Sequence, residues 1–394
     1  MKIAGIISEY NPFHKGHSYQ IEELRKKCYT HIVCVMSPNF VQRGDVAIFE
    51  KRTRAALALE GGADLVIELP TPYALSSAGQ FSFGGVSLLN SLGCIDAIAF
   101  GAESDDQDLF LKTASLLEEG KNSEIVKSKL KNGLSYQTAI SEFLKEKGEN
   151  DSYQLLKGAN NLLGVEYIKQ LVSLDSRLNI EIIKRQGEGH DNQNLKTTFP
   201  SASAIRKLFL NGEIDKAFDF LPSFSKFIIN SEEPSDLNSL EQALMFRLKT
   251  IPTEQLTKYP DVNEGLEFRF EKALKKSLTV DEVIDFVKSK RYTLSRIRRI
   301  VINCLLDIPS ECSKTFPPYI RILGFNEKGM EVVKLAKSTS TLPVSYKLKE
   351  LSNTCEKAKK FADIEERATD VYLLSKKKQM PKGAEYKLRT IISK

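Results

Sequence analysis

The first 220 or so residues alternate short apolar runs with amphipathic helical patterns, and this alternation constrains the fold more than any other feature. The apolar runs that match strands in length cover residues 3–7, 31–36, 63–69, 95–100 and 178–184. Helical patterns lie between them at 51–60, 77–92, 106–147 and 161–174. A strand, a helical crossover and another strand form a unit whose two strands are parallel. We therefore predict an α/β fold with a doubly wound, mostly parallel sheet.

After about residue 225 the pattern becomes mainly helical. Helical spacing covers residues 237–251, 280–289, 294–306 and 347–367, and strong strand runs are few. The stretch 230–238 is rich in Ser, Glu and Pro, which is typical of a linker. We predict two domains, residues 1–225 and a mainly α-helical C-terminal domain of residues 226–394.

Composition excludes several classes of protein. The hydrophobic share of 41% and the charged share of 27% are ordinary for a globular protein. There is no run of eighteen apolar residues and no basic-then-apolar leader, so we expect a cytoplasmic protein with no membrane contact. The six cysteines are scattered without a Cys-x-x-Cys pair, so no metal site is predicted. Neither a P-loop nor a dinucleotide-binding glycine motif is present.

The turn after the first predicted strand carries two histidines, His14 and His17, three positions apart. It leads directly into a predicted helix, where unpaired backbone N–H groups and the helix dipole favour an anion. Gly16 has no side chain to keep phosphates from the backbone. An ordinary Asn-Pro turn is the alternative, but ligands of open α/β sheets bind beyond the carboxyl ends of strands, where this turn lies. We predict a polyphosphate site.

A second constellation, Ser201 to Arg206, opens another predicted helix. A serine there can cap the helix, and Ser203 with Arg206 can hold phosphate oxygens. Taken alone, the segment indicates a simple cap with a surface arginine. Paired with the histidine turn, it favours phosphate binding.

These two segments resemble the H-x-G-H and I-S-S-T-x-I-R signatures of the nucleotidyltransferase superfamily, with Pro200 and Ala202 replacing the first Ile and the second Ser. The resemblance implies a nucleotidyltransferase-like Rossmann fold that binds ATP. It also implies attack of a nucleophile on the α-phosphate with release of pyrophosphate.

A more specific resemblance covers nearly the whole chain. The segments 9–17, 36–44, 62–70, 100–101, 160–164, 185–191 and 291–299 are similar to those of the bacterial tRNA(Met) cytidine acetate ligase family. That family activates acetate with ATP to acetyl-adenylate. It then acetylates N4 of the wobble cytidine of elongator tRNA(Met), so acetate and this tRNA are the implied partners.

The resemblance also assigns site residues. It implies catalytic roles for His14, His17, Ser203 and Arg206, which would hold the triphosphate and stabilise developing charge. The residues it places against ATP are Ile7, Ser8, Glu9, Tyr10, Asn11, Pro12, Phe13, His14, Lys15, Gly16, His17, Gln20, Gly101, Asn160 or Asn161, and Arg185. Of the two asparagines we favour Asn161. Mg²⁺ is expected with ATP, but no ligand set is readable.

Further polar residues have open roles. Asn39, Gln42 and Arg43 face acetate or the cytidine, or they only brace their loop. Glu68 and Glu103 orient a metal or an amine, or they are ordinary surface carboxylates. His190 beside Asp191 fits an active-site rim.

A basic segment follows in the second half, with six Lys or Arg and no acid between residues 288 and 299. Such runs are usually solvated faces, but in a helical appendage to an ATP-using domain they favour contacts with an RNA backbone. The RNA-binding residues we predict are Lys290, Arg291, Arg296, Arg298 and Arg299, with Tyr292 as a platform for a base.

Two other functions remain open on the sequence. A small-molecule adenylyltransferase of the same superfamily would share the histidine turn but would not need the basic segment. A non-catalytic tRNA-binding protein would retain the pocket without turnover. The oligomeric state is not determined by the sequence.

Overall fold

The structure, a computed structural model, describes residues 1–185, 200–230 and 232–393. The strands are β1 Ile3–Ser8, β2 His31–Met36, β3 Phe40–Val41, β4 Asp45–Val46, β5 Leu65–Glu68, β6 Ala97–Ala102, β7 Asn179–Lys184, β8 Ile320–Phe325, β9 Val344–Ser345 and β10 Ile391–Ile392. The first-half helices are α1 Lys15–Lys26, α2 Lys51–Glu60, α3 Thr71–Ala74, α4 Ala78–Leu92, α5 Gln107–Asn122, α6 Glu124–Lys131, α7 Tyr136–Glu146, α8 Asn150–Leu155, α9 Ala159–Ser173, α10 Ala202–Leu210 and α11 Ile214–Phe218. The later helices are α12 Ser225–Ile229, α13 Glu241–Thr250, α14 Leu266–Leu274, α15 Val280–Val287, α16 Leu294–Leu305, α17 Glu327–Thr339, α18 Leu348–Ser352 and α19 Glu356–Leu373. Short 3₁₀ helices cover Leu237–Leu240, Thr253–Lys258, Cys312–Lys314 and Ala384–Lys387.

The main sheet runs in the order β10-β8-β5-β2-β1-β6-β7, with β9 beside β8. The five strands β5, β2, β1, β6 and β7 are mutually parallel, which confirms the predicted fold class. The chain moves outward from β1 to β2 and β5, then returns to the other side of β1 with β6. This reversal opens a crevice beyond the carboxyl ends of β1 and β6, where open α/β sheets bind ligands.

Both faces of the sheet are buried at β1, β2, β5 and β6, which explains why these strands are mostly apolar rather than alternating, whereas β7 is partly exposed. In β1, Ala4 and Ile6 belong to a core with α1, α2 and α10. Ile3 and Ile7 point to the opposite core, with α4 and α9.

The second half of the chain also contributes to the sheet. The apolar run after Pro317 and Pro318 forms β8, which pairs antiparallel with β5. This run lies in the part of the chain predicted to be mainly helical, and its pairing with β5 was not predicted. A single antiparallel edge strand is common in mostly parallel sheets. The domain boundary near residue 225 stays a prediction.

A buried ionic cluster links the two halves behind β5. The ammonium of Lys51 lies 2.6 Å from carboxylates of both Glu68 and Glu385. Arg321 on β8 pairs with the same two acids, at 3.0 Å from Glu68. All four side chains are at most 4% exposed. Glu68 is therefore an ion-paired internal residue, and its expected role in holding a metal or an amine is corrected.

Glu365, also fully buried, borders this cluster and makes stability depend on pH. Its carboxyl group accepts hydrogen bonds from the amide and the hydroxyl of Thr71, at 2.6 and 2.7 Å. Burial, helped by the negative charge of Glu68, raises the pKa of Glu365 to about 8. The folded protein therefore keeps a proton that the unfolded chain has lost, so this group's stabilising contribution falls as pH rises from about 4.5 to about 8.

We expect Glu365→Gln to remove this dependence, since the amide is neutral at every pH and keeps an oxygen for the Thr71 amide. The free energy of unfolding, measured in urea at several pH values, should decline less steeply between pH 5 and 8 in the variant than in the wild type. An unchanged slope would contradict the raised pKa.

Candidate active site

The histidine turn is a reciprocal helix cap. His14 is the N-cap of α1, and its Nδ1 accepts the N–H of Gly16 at 3.0 Å. His17, at the third helical position, accepts the backbone N–H of His14 on its own Nδ1 at 3.2 Å. The rings stack with centroids 3.8 Å apart. The three-residue spacing is therefore what a capping box requires, with imidazoles in the usual places of Ser and Glu.

This arrangement sets the tautomer of both rings. Each Nδ1 accepts a backbone N–H, so in the neutral ring the proton is on Nε2. Both imidazoles are thus prepared as Nε2–H donors. The backbone N–H groups of Lys15 and Gly16 were expected to be unpaired. They donate instead to the carbonyl of Phe220 and to Nδ1 of His14. The imidazoles rather than those amides are therefore the candidate donors to an anion at this turn.

The two sequence constellations meet in the fold. Ser201 caps α10 by accepting the N–H of Ala204 at 3.2 Å. One turn later, Arg206 donates to the backbone carbonyl of Asn11 at 2.8 Å and to the hydroxyl of Ser203 at 3.1 Å. Burial lowers the pKa of Arg206, opposed by the nearby carboxylate of Glu9. A partly desolvated guanidinium therefore stands directly beside the histidine turn.

Asn11 adds an unused donor. Its Oδ1 accepts the N–H of Ile48 at 2.8 Å, which fixes the amide orientation. Its Nδ2 is buried and has no hydrogen-bond partner among the described residues. Buried donors are normally satisfied, so an unpaired one bordering a cleft fits a ligand oxygen such as that of a phosphate.

Arg54 is a positioning residue that the sequence analysis missed. It is fully buried, and it donates to the carbonyls of Glu9 at 2.6 Å, Ser37 at 3.0 Å, Phe49 at 3.0 Å and Pro38. It thereby ties together the chain segments that leave β1 and β2. The sequence did contain an indication of this role, because Arg54 is a charged residue on the same face of α2 as Ala55 and Ala58. The structure buries that face.

One cleft of about 1530 Å³ gathers most of the predicted ATP residues. Those bordering it are Ile7, Ser8, Glu9, Tyr10, Asn11, His14, His17, Gln20, Gly101, Asn160 and Arg185, and Arg206 also lies on it. Pro12, Phe13, Lys15, Gly16, Asn161 and Ser203 do not border it. Phe13 is core beneath the turn, and the ammonium of Lys15 donates to the carbonyl of Asp219.

The two asparagines have different roles. Asn161 is 5% exposed, accepts the N–H groups of Glu103 and Ser104, and donates to the carbonyl of Leu155. Asn160 faces the cleft and donates to Glu103 at 2.7 Å. Glu103 also accepts the amide of Asn161 at 2.9 Å, so it anchors the start of α9. The side chains of Asn161 and Glu103 are thus engaged in hydrogen bonds within the protein, whereas Asn160 borders the cleft.

The far wall of the cleft comes from the second half of the chain. Arg296 donates to the carbonyl of Asp261 at 2.8 Å, and Arg299 pairs with the carboxylate of Asp261 at 3.0 Å. Arg291, which pairs with Glu264, also lies on the cleft, whereas Lys290 is exposed outside it. Arg298, on the other margin of α16, faces the β3–β4 hairpin. Tyr292 is 8% exposed beneath Arg296, so the expectation of a base platform is wrong.

The loop after β2 bridges the two walls. Asn39 is buried and accepts the N–H of Lys51 at 2.8 Å, so it braces the loop. Gln42 and Arg43 border the cleft. The backbone of Gln42 joins both walls, because its N–H donates to Glu9 at 2.9 Å and its carbonyl accepts from Arg299 at 3.3 Å. His190 and Asp191 lie outside the described residues.

Gly44 sets the contact between this loop and α16. It has φ +73°, and a Cβ atom there would lie 2.6 Å from Cβ of Arg298 and from N of Arg299. We expect Gly44→Ala to cost about 1–3 kcal/mol, because it adds a backbone clash to left-handed strain. Gly212→Ala is the control, since Gly212 has φ +78° with nothing within 4 Å. If Gly44→Ala and Gly212→Ala lowered the free energy of unfolding in urea equally, the close contact between Gly44 and α16 would be contradicted.

Within residues 1–185, 200–230 and 232–393, no group of three or more His, Cys, Asp or Glu could hold a metal ion. In the same residues, no helix is long and apolar enough to cross a membrane.

Comparison with known proteins identifies the family. The sequence model of the HIGH Nucleotidyl Transferase family matches residues 1–386. The chain is 40% identical over 400 residues to the tRNA(Met) cytidine acetate ligase of Thermoanaerobacter sp. (strain X514), covering 98% of each. The chain belongs to this ligase family. A Clostridium perfringens family member is 37% identical over 388 residues, covering 94% of this chain and 95% of that protein. The sequence resemblance is thereby confirmed.

Solved structures of the family show the same fold. Apo Thermotoga maritima TmcAL superposes with a TM-score of 0.93 at 30% identity, covering 100% of this chain and 99% of that chain. The structure of the same protein bound with alpha-thio ATP superposes with a TM-score of 0.91 at 29% identity, and the match covers 100% of both chains.

Proposed function

We propose that this chain is an ATP-dependent tRNA(Met) cytidine acetate ligase that releases AMP and pyrophosphate. One observation carries the proposal: the histidine turn, Arg206 and two arginines of α16, Arg296 and Arg299, border the same cleft. Its ligase relatives, alike over nearly their whole length, support the assignment, as does the ATP analogue bound by a similar structure. The cytoplasm is the proposed location.

In the first step, an acetate oxygen attacks the α-phosphorus of ATP and the bond to pyrophosphate breaks. Acetate is already an anion, so no general base is required. The Nε2–H groups of His14 and His17 donate to phosphate oxygens whose charge grows during the reaction. Arg206, held by Ser203 and Asn11, adds a fixed positive charge. Donors that are already oriented cost no reorganisation when the charge develops.

For the remaining ATP contacts we propose the residues that border the cleft. Nδ2 of Asn11 offers a donor to phosphate, and Gly101 lets the nucleotide lie against bare backbone. Arg185 follows β7 beside Gly101, where its guanidinium can stack on adenine or pair with phosphate. Asn160 replaces Asn161 as the proposed ligand. Mg²⁺ would be held mainly by the phosphates themselves, since the described residues form no metal cluster.

In the second step, the N4 amine of the cytidine attacks the acetyl carbon and AMP leaves. The residues proposed to contact the tRNA are Lys290, Arg291, Arg296, Arg298 and Arg299. Of these, Lys290 is exposed and is therefore the most accessible to a phosphate of the RNA backbone. The internal partners of Arg296 and Arg299 give these two residues a second role, which is to fix α16 against the loop after β2.

The test is incubation of the protein with ATP, labelled acetate and total tRNA, followed by nucleoside analysis. Labelled N4-acetylcytidine is the expected product. A dinucleotide formed without tRNA would instead indicate a small-molecule adenylyltransferase. Binding of tRNA without any acetylated nucleoside would indicate a non-catalytic tRNA-binding protein.

A further inference from the structure

Glu9 stands between the two walls of the cleft. It directly follows β1, and one carboxylate oxygen accepts the N–H of Gln42 at 2.9 Å. The carbonyl of that same Gln42 accepts from Arg299 on α16. Glu9 therefore borders the cleft where the loop after β2 connects the histidine side to the basic helix α16.

The charge of Glu9 suits a proton-losing substrate better than a phosphate. A carboxylate repels a triphosphate. Among the described residues, Glu9 belongs to no group of three or more His, Cys, Asp or Glu that could hold a metal ion. An amine that becomes an amide must lose a proton, and a carboxylate beside it both orients the N–H and accepts that proton.

Tyr167 supplies a donor in the same cleft. It is 2% exposed, its ring lies 5.8 Å from that of Phe100, and it borders the cleft. Its hydroxyl has no hydrogen-bond partner in the part of the chain that the structure describes. Burial raises the pKa of Tyr167, and the nearby charge of Glu9 raises it further, so the hydroxyl stays protonated. An unpaired buried hydroxyl lowers stability, which favours a role with a ligand.

We propose that Glu9 and Tyr167 catalyse acetyl transfer, a role that rests on the proposed function. The amine nitrogen forms a bond to the acetyl carbon, and one amine proton passes to the carboxylate of Glu9. The Tyr167 hydroxyl donates to the acetyl oxygen as that oxygen gains negative charge. The carbon–oxygen bond to AMP then breaks, and AMP leaves with the bonding electrons.

The two half-reactions separate this role from ATP binding. Acetate-dependent exchange of labelled pyrophosphate into ATP, without tRNA, reports the first step. Transfer from preformed, labelled acetyl-adenylate to tRNA in a single turnover reports the second. Glu9→Gln keeps an oxygen for the N–H of Gln42 but removes the base. We expect transfer to slow by about 10²-fold more than exchange does, because only the second step needs a base.

Equal loss of exchange and transfer in Glu9→Gln, with a changed Mg²⁺ requirement, would make Glu9 a metal ligand and overturn the proposal. Unimpaired transfer by Glu9→Gln would overturn the proposal alone. A wild-type protein that makes no acetylcytidine would overturn the proposed function, and this proposal with it.

Tyr167→Phe provides a second test. It compares the two half-reactions and the thermal midpoint, which together distinguish a catalytic tyrosine from a structural one. We expect transfer to slow by about 10²-fold while exchange persists. The thermal midpoint should stay equal or rise, because an unpaired buried hydroxyl has been removed. Tyr319→Phe is the matched control, since this buried tyrosine also has an unpaired hydroxyl but lies off the cleft. A lower midpoint with equal losses in both half-reactions would reduce Tyr167 to a structural residue.

Discussion

Replacing His17 by alanine is expected to slow acetyl-adenylate formation by about 10²–10³-fold while the protein still folds. The substitution removes an Nε2–H donor whose orientation is set by the hydrogen bond from the His14 amide. It also removes the ring that stacks on His14 at 3.8 Å, so the remaining imidazole loses its support. The measurement is acetate-dependent exchange of labelled pyrophosphate into ATP, with circular dichroism to check folding.

Two further variants sharpen this prediction. His31→Ala is the matched control, because His31 is buried away from the cleft, between Thr30 and Glu331. It should retain exchange activity even if it loses stability. His17→Gln keeps a neutral N–H donor and should recover part of the rate, since the step needs a donor and no base. Wild-type exchange by His17→Ala would remove the imidazole from the mechanism.

The largest expected loss of stability follows from Lys51→Met. The change leaves Glu68 and Glu385 buried with Arg321 as the remaining cation of the described cluster. Removing one partner of a buried ion pair strands its charge in a medium that solvates it poorly, at a cost of about 3–5 kcal/mol. The free energy of unfolding in urea measures the loss.

An exposed pair gives the comparison. Lys377 lies 2.7 Å from Glu233 but its side chain is 87% exposed, so Lys377→Met should change stability far less. Combining Lys51→Met with Glu385→Gln should restore part of the loss, because the second change removes one stranded charge. Equally mild effects of Lys51→Met and Lys377→Met on the free energy of unfolding would contradict the expected cost of leaving buried charges without a partner.

Much of the first half of the chain was predictable because its signals are local. A fully buried parallel strand is apolar along most of its length, so β1, β2, β5 and β6 were found with small errors at their ends. The partly exposed β7 was also found, with an error of one residue at its start. The histidine turn was found for the same reason, since a capping box places its two side chains three residues apart in sequence. Family resemblance then linked that turn to Arg206, which periodicity alone does not connect to it.

The sequence by itself determined the parallel sheet, the position of the histidine turn and the family. Only the tertiary structure decided that β8 pairs with β5, that Lys51 and Arg54 are buried, and that Asn160 rather than Asn161 faces the cleft. The physical reason is that periodicity reports whether a residue is buried but not which residue it meets. Glu68, Arg321 and Glu385 are far apart in the chain, and only folding brings their charges together.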